Sequence, residues 1–398
     1  MISQRGSRLK TSPTLALVAK AKELQSLGHD VISLTVGEPD WGTFEIPSRA
    51  GIEAIQKGIT KYTPANGTLE LRKVIAAQIL KDFALEYSPN EVTVGPGAKF
   101  VIFSALAMLC DPGDEVIINA PYWVSYPTMI ELADGKPIIV ECDESTNFKI
   151  SAKALEQAIS AKTKAFLFCS PSNPTGLMYT LEELKELAQV FRRHPRVVIL
   201  SDDMYNRLVF DGSKVAPHIL QAAPDLRDRV VIINGGSKAY AMTGWRIGWA
   251  AGPQPLIRAM GDYQSQTTGA PSSIAQYAAL AAIQACDGDI GRVVETLKQR
   301  KHQALRQLRE IPGFQVVEPD GAFYLWVNIK DLIGRTHEGV RITSDKDFCD
   351  ILLHRYYVAT VPGVECGSPG FMRLSFAISE EKMSEACRRM QSMVSVLV

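Results

Sequence analysis

The chain has 398 residues, 46% of them hydrophobic, and its 43 Lys and Arg residues balance 43 Asp and Glu residues. This length predicts about two domains with a large buried core, and the zero formal net charge gives no reason to expect nucleic acid or an anionic membrane as a partner. Seven scattered cysteines without a C-x-x-C pair, and six histidines without close ligand spacing, argue against a disulfide framework and against metal catalysis.

The first residues carry Arg5, Arg8 and Lys10 but no apolar run follows them, so the pattern is not that of a secretory signal. No stretch of the sequence approaches the length of a membrane span. We therefore expect a cytoplasmic protein.

Short β-branched runs alternate with longer amphipathic segments from about residue 90, which predicts βαβ units around a mainly parallel sheet, an α/β fold. The predicted strands are Glu91–Val94, Asp114–Ile118, Ala165–Cys169, Val197–Leu200, Val230–Ile233 and Ile247–Ala251. A helix is predicted at Leu181–Arg193, where Leu184, Leu187 and Val190 recur at helical spacing.

The pattern changes after about residue 285. A charged helical stretch, Arg292–Arg309, leads to predicted strands within Phe314–Ile329 that are interrupted at Pro319-Asp320-Gly321. This region resembles a smaller α+β domain, and the segment before Thr43 is too short to fold alone. We therefore expect a large α/β domain of residues 44–285 and a small domain formed by residues 1–43 and 286–398.

Three polar residues follow three predicted strands: Asn173, Asp202 and Lys238. The carboxyl ends of strands in an open α/β sheet are where ligands bind, so these side chains are expected to face one crevice. Each residue alone would be an ordinary solvated group. Their joint placement predicts a site.

The chemistry of this set suits a cofactor with a pyridine ring. A buried carboxylate such as Asp202 keeps a ring nitrogen protonated, and Lys238 can form a Schiff base with the cofactor and then carry a proton. Tyr205 and Asn173 can each hydrogen-bond a phenolic oxygen of the ring. Trp123, after another strand, is placed either to stack on the ring or to pack in the core.

A phosphate group of the cofactor would need backbone N–H donors and positive charge. The turn Gly97-Ala98-Lys99 runs from a strand into a helix predicted to begin near Phe100, which places open N–H groups at a helix N-terminus. Ser237 and Arg246 flank Lys238 and can add a hydroxyl and a guanidinium. A glycine-rich turn alone is common in purely structural contexts.

Several segments closely match one family. They are Ser170-Pro-Ser-Asn173-Pro-Thr-Gly176, Ser201-Asp202-Asp-Met-Tyr205, Ser237-Lys238-Ala-Tyr-Ala-Met-Thr-Gly-Trp-Arg246-Ile-Gly248, Gly321-Ala-Phe323-Tyr324 and Met372-Arg373-Leu-Ser-Phe376. From about Leu15 onward the chain resembles the class I, fold-type I aminotransferases that depend on pyridoxal 5'-phosphate. The resemblance implies a three-layer α/β fold.

The resemblance assigns Lys238 to the Schiff base, Asp202 to the ring nitrogen, Tyr205 and Asn173 to the phenolic oxygen, and Trp123 to ring stacking. It also implies three roles that the spacing does not show. Arg373 would clamp the substrate α-carboxylate with help from the Gly37 backbone, and Tyr62 would bind the phosphate of a neighbouring subunit. A homodimer with shared active sites is therefore expected, with amino acids and 2-oxo acids as substrates.

One departure from the family pattern concerns the phosphate. Gly235 stands where a phosphate-binding Ser or Thr is common, so Ser237, Arg246 and the turn at Gly97 are expected to carry more of that group.

Three segments resemble the bacterial-type Iβ aspartate aminotransferases: Lys10-Thr-Ser-Pro-Thr14 near the N-terminus, the Gly97-Ala98-Lys99 turn and Pro121-Tyr-Trp-Val-Ser-Tyr126. In that subgroup lysines matching Lys99 and Lys10 bind the side-chain carboxylate, which implies aspartate and 2-oxoglutarate as substrates in a ping-pong reaction. Lys99 could instead be a phosphate-side or solvent lysine. The same lysines occur in members that transaminate prephenate, so prephenate or a broader aromatic and dicarboxylic range is an alternative.

Two further alternatives belong to other reaction or protein classes. A carbon–sulfur β-lyase of the same fold would share Lys238 and its neighbours. A transcription regulator with an aminotransferase-like domain would need a DNA-binding module, and the sequence has no basic helix-turn-helix extension.

Overall fold

The computed structural model describes residues 1–3, 6, 7, 9 and 13–398 of the chain. In chain order the strands are β1 (Ile32–Ser33), β2 (Val92–Gly95), β3 (Glu115–Ala120), β4 (Lys136–Glu141), β5 (Thr163–Cys169), β6 (Val198–Asp202), β7 (Val230–Gly235), β8 (Gly248–Ala251), β9 (Gln315–Val317), β10 (Tyr324–Asn328), β11 (Thr336–His337), β12 (Val340–Arg341), β13 (Val358–Ala359), β14 (Val361–Pro362) and β15 (Phe371–Ser375). The α-helices are α1 (Pro13–Ser26), α2 (Glu45–Gln56), α3 (Leu69–Phe83), α4 (Ala98–Leu109), α5 (Tyr126–Leu132), α6 (Ala152–Ala158), α7 (Leu181–Arg193), α8 (Ile219–Ala222), α9 (Gln254–Ser265), α10 (Ser273–Ala285), α11 (Asp287–Arg309), α12 (Asp345–Tyr356) and α13 (Glu380–Ser395).

A seven-stranded sheet with the order β2-β8-β7-β6-β5-β3-β4 forms the centre of the molecule. Its strands from β3 to β7 pair in parallel, and β8 runs antiparallel to both β2 and β7. Parallel neighbours need crossover connections, and α5, α6 and α7 provide them between successive strands. The predicted mainly parallel sheet and the α/β class are therefore confirmed.

The interior strands are apolar almost throughout because helices cover both faces of the sheet. In β5, Phe166, Leu167 and Phe168 are all buried although successive side chains point to opposite faces. All six strands expected from the sequence are present, with ends shifted by up to two residues. Strand β4 is not among the predicted strands, because Pro137 interrupts the strand pattern there. Proline is tolerated there because β4 lies at the edge of the sheet.

Helix α7 shows why the periodic segments fold as expected. Thr180 and Glu183 form a capping box at its start, in which each side chain accepts a hydrogen bond from the other residue's backbone N–H. Leu184, Leu187 and Val190 are buried on one face. The predicted range Leu181–Arg193 is observed unchanged, whereas the predicted helix Arg292–Arg309 begins earlier, at Asp287.

A second sheet, with the order β14-β15-β10-β9, is antiparallel. The segment near the amino terminus joins this part of the chain, since β1 pairs in parallel with β13. Ser375 at the end of β15 also donates its backbone N–H to the Leu34 carbonyl. This arrangement brings residues 36–38 to the carboxyl edge of the large sheet, where they line a cavity together with residues that follow strands of both sheets.

Within the described part of the chain, no helix has the length and apolar character required to cross a membrane. Among the same residues, no group of three or more His, Cys, Asp or Glu side chains is arranged to hold a metal ion. The seven cysteines are all unpaired.

Candidate active site

A cavity of about 350 Å³ opens at the carboxyl edge of the seven-stranded sheet. Asp202 is the last residue of β6, and Asn173 and Lys238 lie in the loops that follow β5 and β7. All three line this cavity, so the structure brings together the polar groups that the strand ends predicted.

Most residues expected at the site line the same cavity. These are Gly37, Ala98, Lys99, Trp123, Asn173, Asp202, Tyr205, Ser237, Lys238, Arg246 and Arg373. Gly97, which immediately precedes Ala98, does not line the cavity itself but lies against the guanidinium of Arg246, which does. Tyr62 does not line the cavity, and its side chain is fully exposed at 105%. Lys10 lies outside the described residues.

The Lys238 amine lies inside the cavity and donates a hydrogen bond to the Gly37 carbonyl. Burial lowers the pKa of Lys238 to about 8, and the nearby Glu38 carboxylate opposes that change. A side chain at Gly37 would overlap the hydroxyl of Tyr324, so only glycine allows this approach. A lysine with such a pKa is a nucleophile near neutral pH.

The Asp202 carboxyl group is buried and held from one side by Tyr126. The Tyr126 hydroxyl donates to Asp202 Oδ2 at 2.6 Å, and the Met204 backbone N–H donates to Oδ1 at 3.3 Å. Burial raises the pKa of Asp202 to about 6, while the Tyr126 hydrogen bond opposes the rise. At neutral pH the group is mainly an anion in a buried setting, which suits a cationic partner.

Tyr126 is not among the residues predicted for the site. The same rule that found Asn173, Asp202 and Lys238 could have found it, because Tyr126 begins α5 just past the carboxyl end of β3. Its ring also packs edge-on against Trp123, with centroids 5.5 Å apart.

Arg373, in β15, is a buried cation that exposes only 2% of its surface. Its Nη1 donates to Asn173 Oδ1 at 2.8 Å, and its Nη2 donates to the Thr35 carbonyl at 2.6 Å. Its Nε has no hydrogen-bond partner, and no carboxylate among the described residues pairs with the guanidinium. A buried guanidinium without a counter-ion is ready to receive an external carboxylate.

The turn at Gly97 forms a cradle of donors. Gly97 has a φ of +90° and precedes helix α4, whose first N–H groups are open. A Cβ at Gly97 would lie 2.6 Å from Arg246 Nη2, so the missing side chain makes room for that guanidinium. Arg246 itself has a left-handed backbone, with a φ of +53°, and Nη1 donates to the Thr243 carbonyl at 2.9 Å. Together with the buried Ser237 these groups fit a phosphate.

Lys99 lies at the same turn but remains exposed to solvent. Its Nζ lies over the Trp123 ring, 4.9 Å from the ring centroid. Partial desolvation, followed by the charge of Arg246, lowers the pKa of Lys99.

Comparison with known proteins agrees with this geometry. Residues 29–390 match the family model for aminotransferase class I and II. An aspartate/prephenate aminotransferase from Cereibacter sphaeroides is 46% identical over 98% of both chains. The structure matches the aspartate aminotransferase from Rhizobium meliloti with a TM-score of 0.96, 40% identity and full coverage of both chains. It matches the Thermus thermophilus aspartate aminotransferase, solved with maleate, with a TM-score of 0.92, 35% identity and 99% coverage of both chains.

The chain therefore belongs to the class I and II aminotransferase family. It has the fold of the fold-type I enzymes, and it is a transaminase that depends on pyridoxal 5'-phosphate.

The residues of the cavity fit that cofactor. The donor cradle at Gly97 matches a phosphate, the buried Asp202 carboxylate matches a protonated ring nitrogen, and the Lys238 amine matches a carbonyl group.

Proposed function

We propose that this chain transfers the amino group of aspartate to 2-oxoglutarate, giving oxaloacetate and glutamate, in a ping-pong reaction. The observation that carries the proposal is that the cavity, besides Lys238 and Arg246 on the cofactor side, is lined by two further cations, Arg373 and Lys99, which pair with no carboxylate among the described residues. An α-amino acid brings one carboxylate for Arg373. A dicarboxylic amino acid brings a second one, which would be costly to bury unpaired, and Lys99 can receive it.

The proposed roles at the cofactor follow from the contacts described above. Asp202, held by Tyr126, would keep the ring nitrogen protonated, and Tyr205 and Asn173 would hydrogen-bond the phenolic oxygen. The Asn173 side-chain oxygen already accepts from Arg373, so its amide nitrogen is the atom left to donate. Trp123 would cover the ring.

We assign the phosphate to the residues at the turn and around Lys238. These are Gly97, Ala98 and the backbone N–H of Lys99, together with Ser237 and Arg246, which leaves the Lys99 ammonium group for the substrate. Gly235 has no room for a side chain, because a Cβ there would lie 2.9 Å from the Ile247 carbonyl oxygen. Because a Ser or Thr would not fit at this position, the phosphate would have to be bound by the other groups.

Lys238 would hold the cofactor and, once the substrate amine has displaced it, carry the proton. When bound, pyridoxal phosphate supplies an electron-withdrawing ring that makes the substrate α-hydrogen acidic. The free Lys238 amine would accept the proton from the substrate α-carbon and deliver it to the carbon that had been the cofactor's carbonyl carbon. Its lowered pKa leaves a useful fraction of neutral amine near neutral pH. Arg373 and the Gly37 backbone would hold the α-carboxylate during this transfer.

We also propose that two copies of the chain form a homodimer in which each copy supplies Tyr62 to the other copy's phosphate. Tyr62 is fully exposed and does not line the cavity of its own chain. Beside that site lies a second, open cavity of about 730 Å³, lined by Trp41, Pro96, Trp245 and Arg246 among others. Ile52 and Ile55 of the nearby helix α2 are exposed apolar side chains, which support a protein interface there.

Two coarser features complete the proposal. We divide the chain into a large domain of residues 44–285 and a small domain of residues 1–43 and 286–398, supported by the two separate sheets and by the β1–β13 pair. We expect the enzyme in the cytoplasm, which the seven unpaired cysteines support.

Prephenate is a second candidate substrate, favoured by the name of the Cereibacter relative. It also carries two carboxylates, so Arg373 and Lys99 could receive both. The Thermus enzyme was solved with maleate, another dicarboxylate, which supports the pairing of two cations with two carboxylates in either case.

The test is a spectrum of the purified holoenzyme while candidate amino acids are added without an oxo acid. We expect aspartate and glutamate to convert the absorption of the bound cofactor, and 2-oxoglutarate to restore it. Release of pyruvate and ammonia without an oxo acid would instead indicate a β-lyase. A Lys238→Ala variant should fold and lose more than about 10³-fold of the transamination rate. A protein without any cofactor absorption would overturn the proposal.

A further inference from the structure

Two buried phenols meet in the active-site cavity. The hydroxyl oxygens of Tyr205 and Tyr324 lie 2.7 Å apart, and both side chains are almost completely excluded from solvent. Tyr205 follows β6 of the large sheet, whereas Tyr324 begins β10 of the second sheet. The hydrogen bond therefore joins the two sheets at the reaction centre.

The donor and acceptor of this hydrogen bond are decided by counting protons. A phenol has one proton to donate and lone pairs with which to accept. If Tyr205 gives its proton to the cofactor's phenolic oxygen, it has none left for Tyr324. Tyr324 must then be the donor and Tyr205 the acceptor.

Tyr324 also contacts the residues that are expected to receive the substrate. The Arg373 guanidinium lies over its ring at 4.7 Å, a cation–π contact in a buried setting. Its hydroxyl fills the space that a side chain at Gly37 would need. One side chain thus touches Tyr205 on the cofactor side and Arg373 and Gly37 on the substrate side.

We propose that Tyr324 is a positioning residue that donates its phenolic proton to Tyr205 and so directs the Tyr205 proton to the cofactor oxygen, while its ring orients Arg373 for the substrate α-carboxylate. This inference rests on the proposed function and adds to it a residue that acts through two others. The hydroxyl and the ring have separate tasks, so they can be removed separately.

The chemistry of a hydrogen-bond chain gives the expected direction of the effect. A phenol that accepts a hydrogen bond becomes a stronger donor, so Tyr324 strengthens the bond from Tyr205 to the cofactor oxygen. That bond stabilises the deprotonated oxygen. Burial raises the pKa of Tyr324, so its proton is retained through the working pH range.

The first experiment removes the hydroxyl alone. In the Tyr324→Phe holoenzyme, we expect the pKa of the cofactor's visible absorption change to rise by about 0.5 to 1, corresponding to the loss of one neutral hydrogen bond. The KM for aspartate should change less than about twofold, because the ring over Arg373 remains. Tyr324→Leu should show the same spectral shift and, in addition, a several-fold higher KM.

The second experiment tests whether the hydroxyl acts through Tyr205. In a Tyr205→Phe background, Tyr324→Phe should cause no further spectral shift, since the acceptor is already absent. Tyr179→Phe is the matched control. It removes another buried hydroxyl, one that accepts from the Ile150 backbone and does not line the cavity, and it should leave the spectrum unchanged.

An unchanged spectral pKa in Tyr324→Phe, with the wild-type transition intact, would overturn this inference. Equal shifts with and without the Tyr205 hydroxyl would also overturn it. Failure of the wild-type holoenzyme to show the transition, or to respond to amino acids, would instead contradict the proposed function itself, so the two failures are distinguishable.

Discussion

The two cations of the cavity are held in opposite ways. Arg373 is buried in β15 and fixed by hydrogen bonds to Asn173 and to the Thr35 carbonyl. Lys99 stands at the start of helix α4, exposed, and touches only the face of Trp123 among the contacts described for its amine. The first is part of the protein's framework, and the second is a flexible side chain at the cavity's margin.

This difference matches the two parts of an amino-acid substrate. Every substrate has the same α-carboxylate at the same distance from the reacting carbon, so a rigid planar clamp suits it. Side chains differ between substrates, and a flexible ammonium group can meet them in several positions. We infer that Arg373 positions the α-carboxylate of every substrate for the reaction, whereas Lys99 determines which substrate side chains are preferred.

The largest effect on activity is expected from removing the buried guanidinium of Arg373. Arg373→Leu should lower kcat/KM by about 10²- to 10³-fold, because losing a buried charged partner costs about 3–4 kcal/mol. The loss should be similar for aspartate and alanine, since both present an α-carboxylate. Steady-state kinetics with the two amino acids measure it. A loss confined to aspartate would contradict the assignment of Arg373.

A smaller effect, confined to dicarboxylic substrates, is expected from removing the Lys99 ammonium group. Lys99→Ala should raise the KM for aspartate by about tenfold, the value of one charge-assisted hydrogen bond in a partly exposed setting. The KM for an aliphatic or aromatic amino acid should change by far less. Equal losses on both kinds of substrate would mean that Lys99 serves the phosphate or the fold instead. Lys164→Ala, which changes a lysine outside the cavity, is a suitable control.

The smallest effect is expected from pH. Lys99 has a pKa below the ordinary lysine value of 10.5, so it loses its charge at a lower pH than a free lysine would. The ratio of kcat/KM for aspartate to that for alanine should therefore fall a few-fold as the pH rises toward 10.5. Taking the ratio cancels groups that act on both substrates. In Lys99→Arg the ratio should stay flat across the same range, and a fall there would exclude Lys99 as its origin.

Much of the fold could be predicted because the local pattern and the tertiary environment agree. The strands β5, β6 and β7 are buried on both faces, so their apolar runs are unambiguous in the sequence. Strand β4 was missed because it lies at an edge, where Pro137 and partial exposure weaken the signal. Sequence patterns fail to predict a strand of this kind, because proline is tolerated in it only through its position at the edge of the sheet.

The site divides in the same manner. Asn173, Asp202 and Lys238 could be placed together from the sequence, since a general rule brings the carboxyl ends of parallel strands to one edge. Arg373 and Gly37 came from the family resemblance alone, because they reach the cavity from a second sheet and from a loop more than 300 residues apart. No sequence spacing predicts that Arg373 and Gly37 lie in the same cavity.

The sequence by itself determined the sheet, the edge at which the site lies and the kind of cofactor that Lys238 and Asp202 suit. Only the tertiary structure decided that Tyr126 holds Asp202, that Tyr324 joins Tyr205 to Arg373, and that Arg373 lies buried without a carboxylate partner among the described residues. The physical reason is the sequence separation of the residues that interact. A buried strand shows itself in a run of neighbouring apolar residues, whereas hydrogen bonds and desolvation depend on which distant segments the packed core brings within a few ångströms.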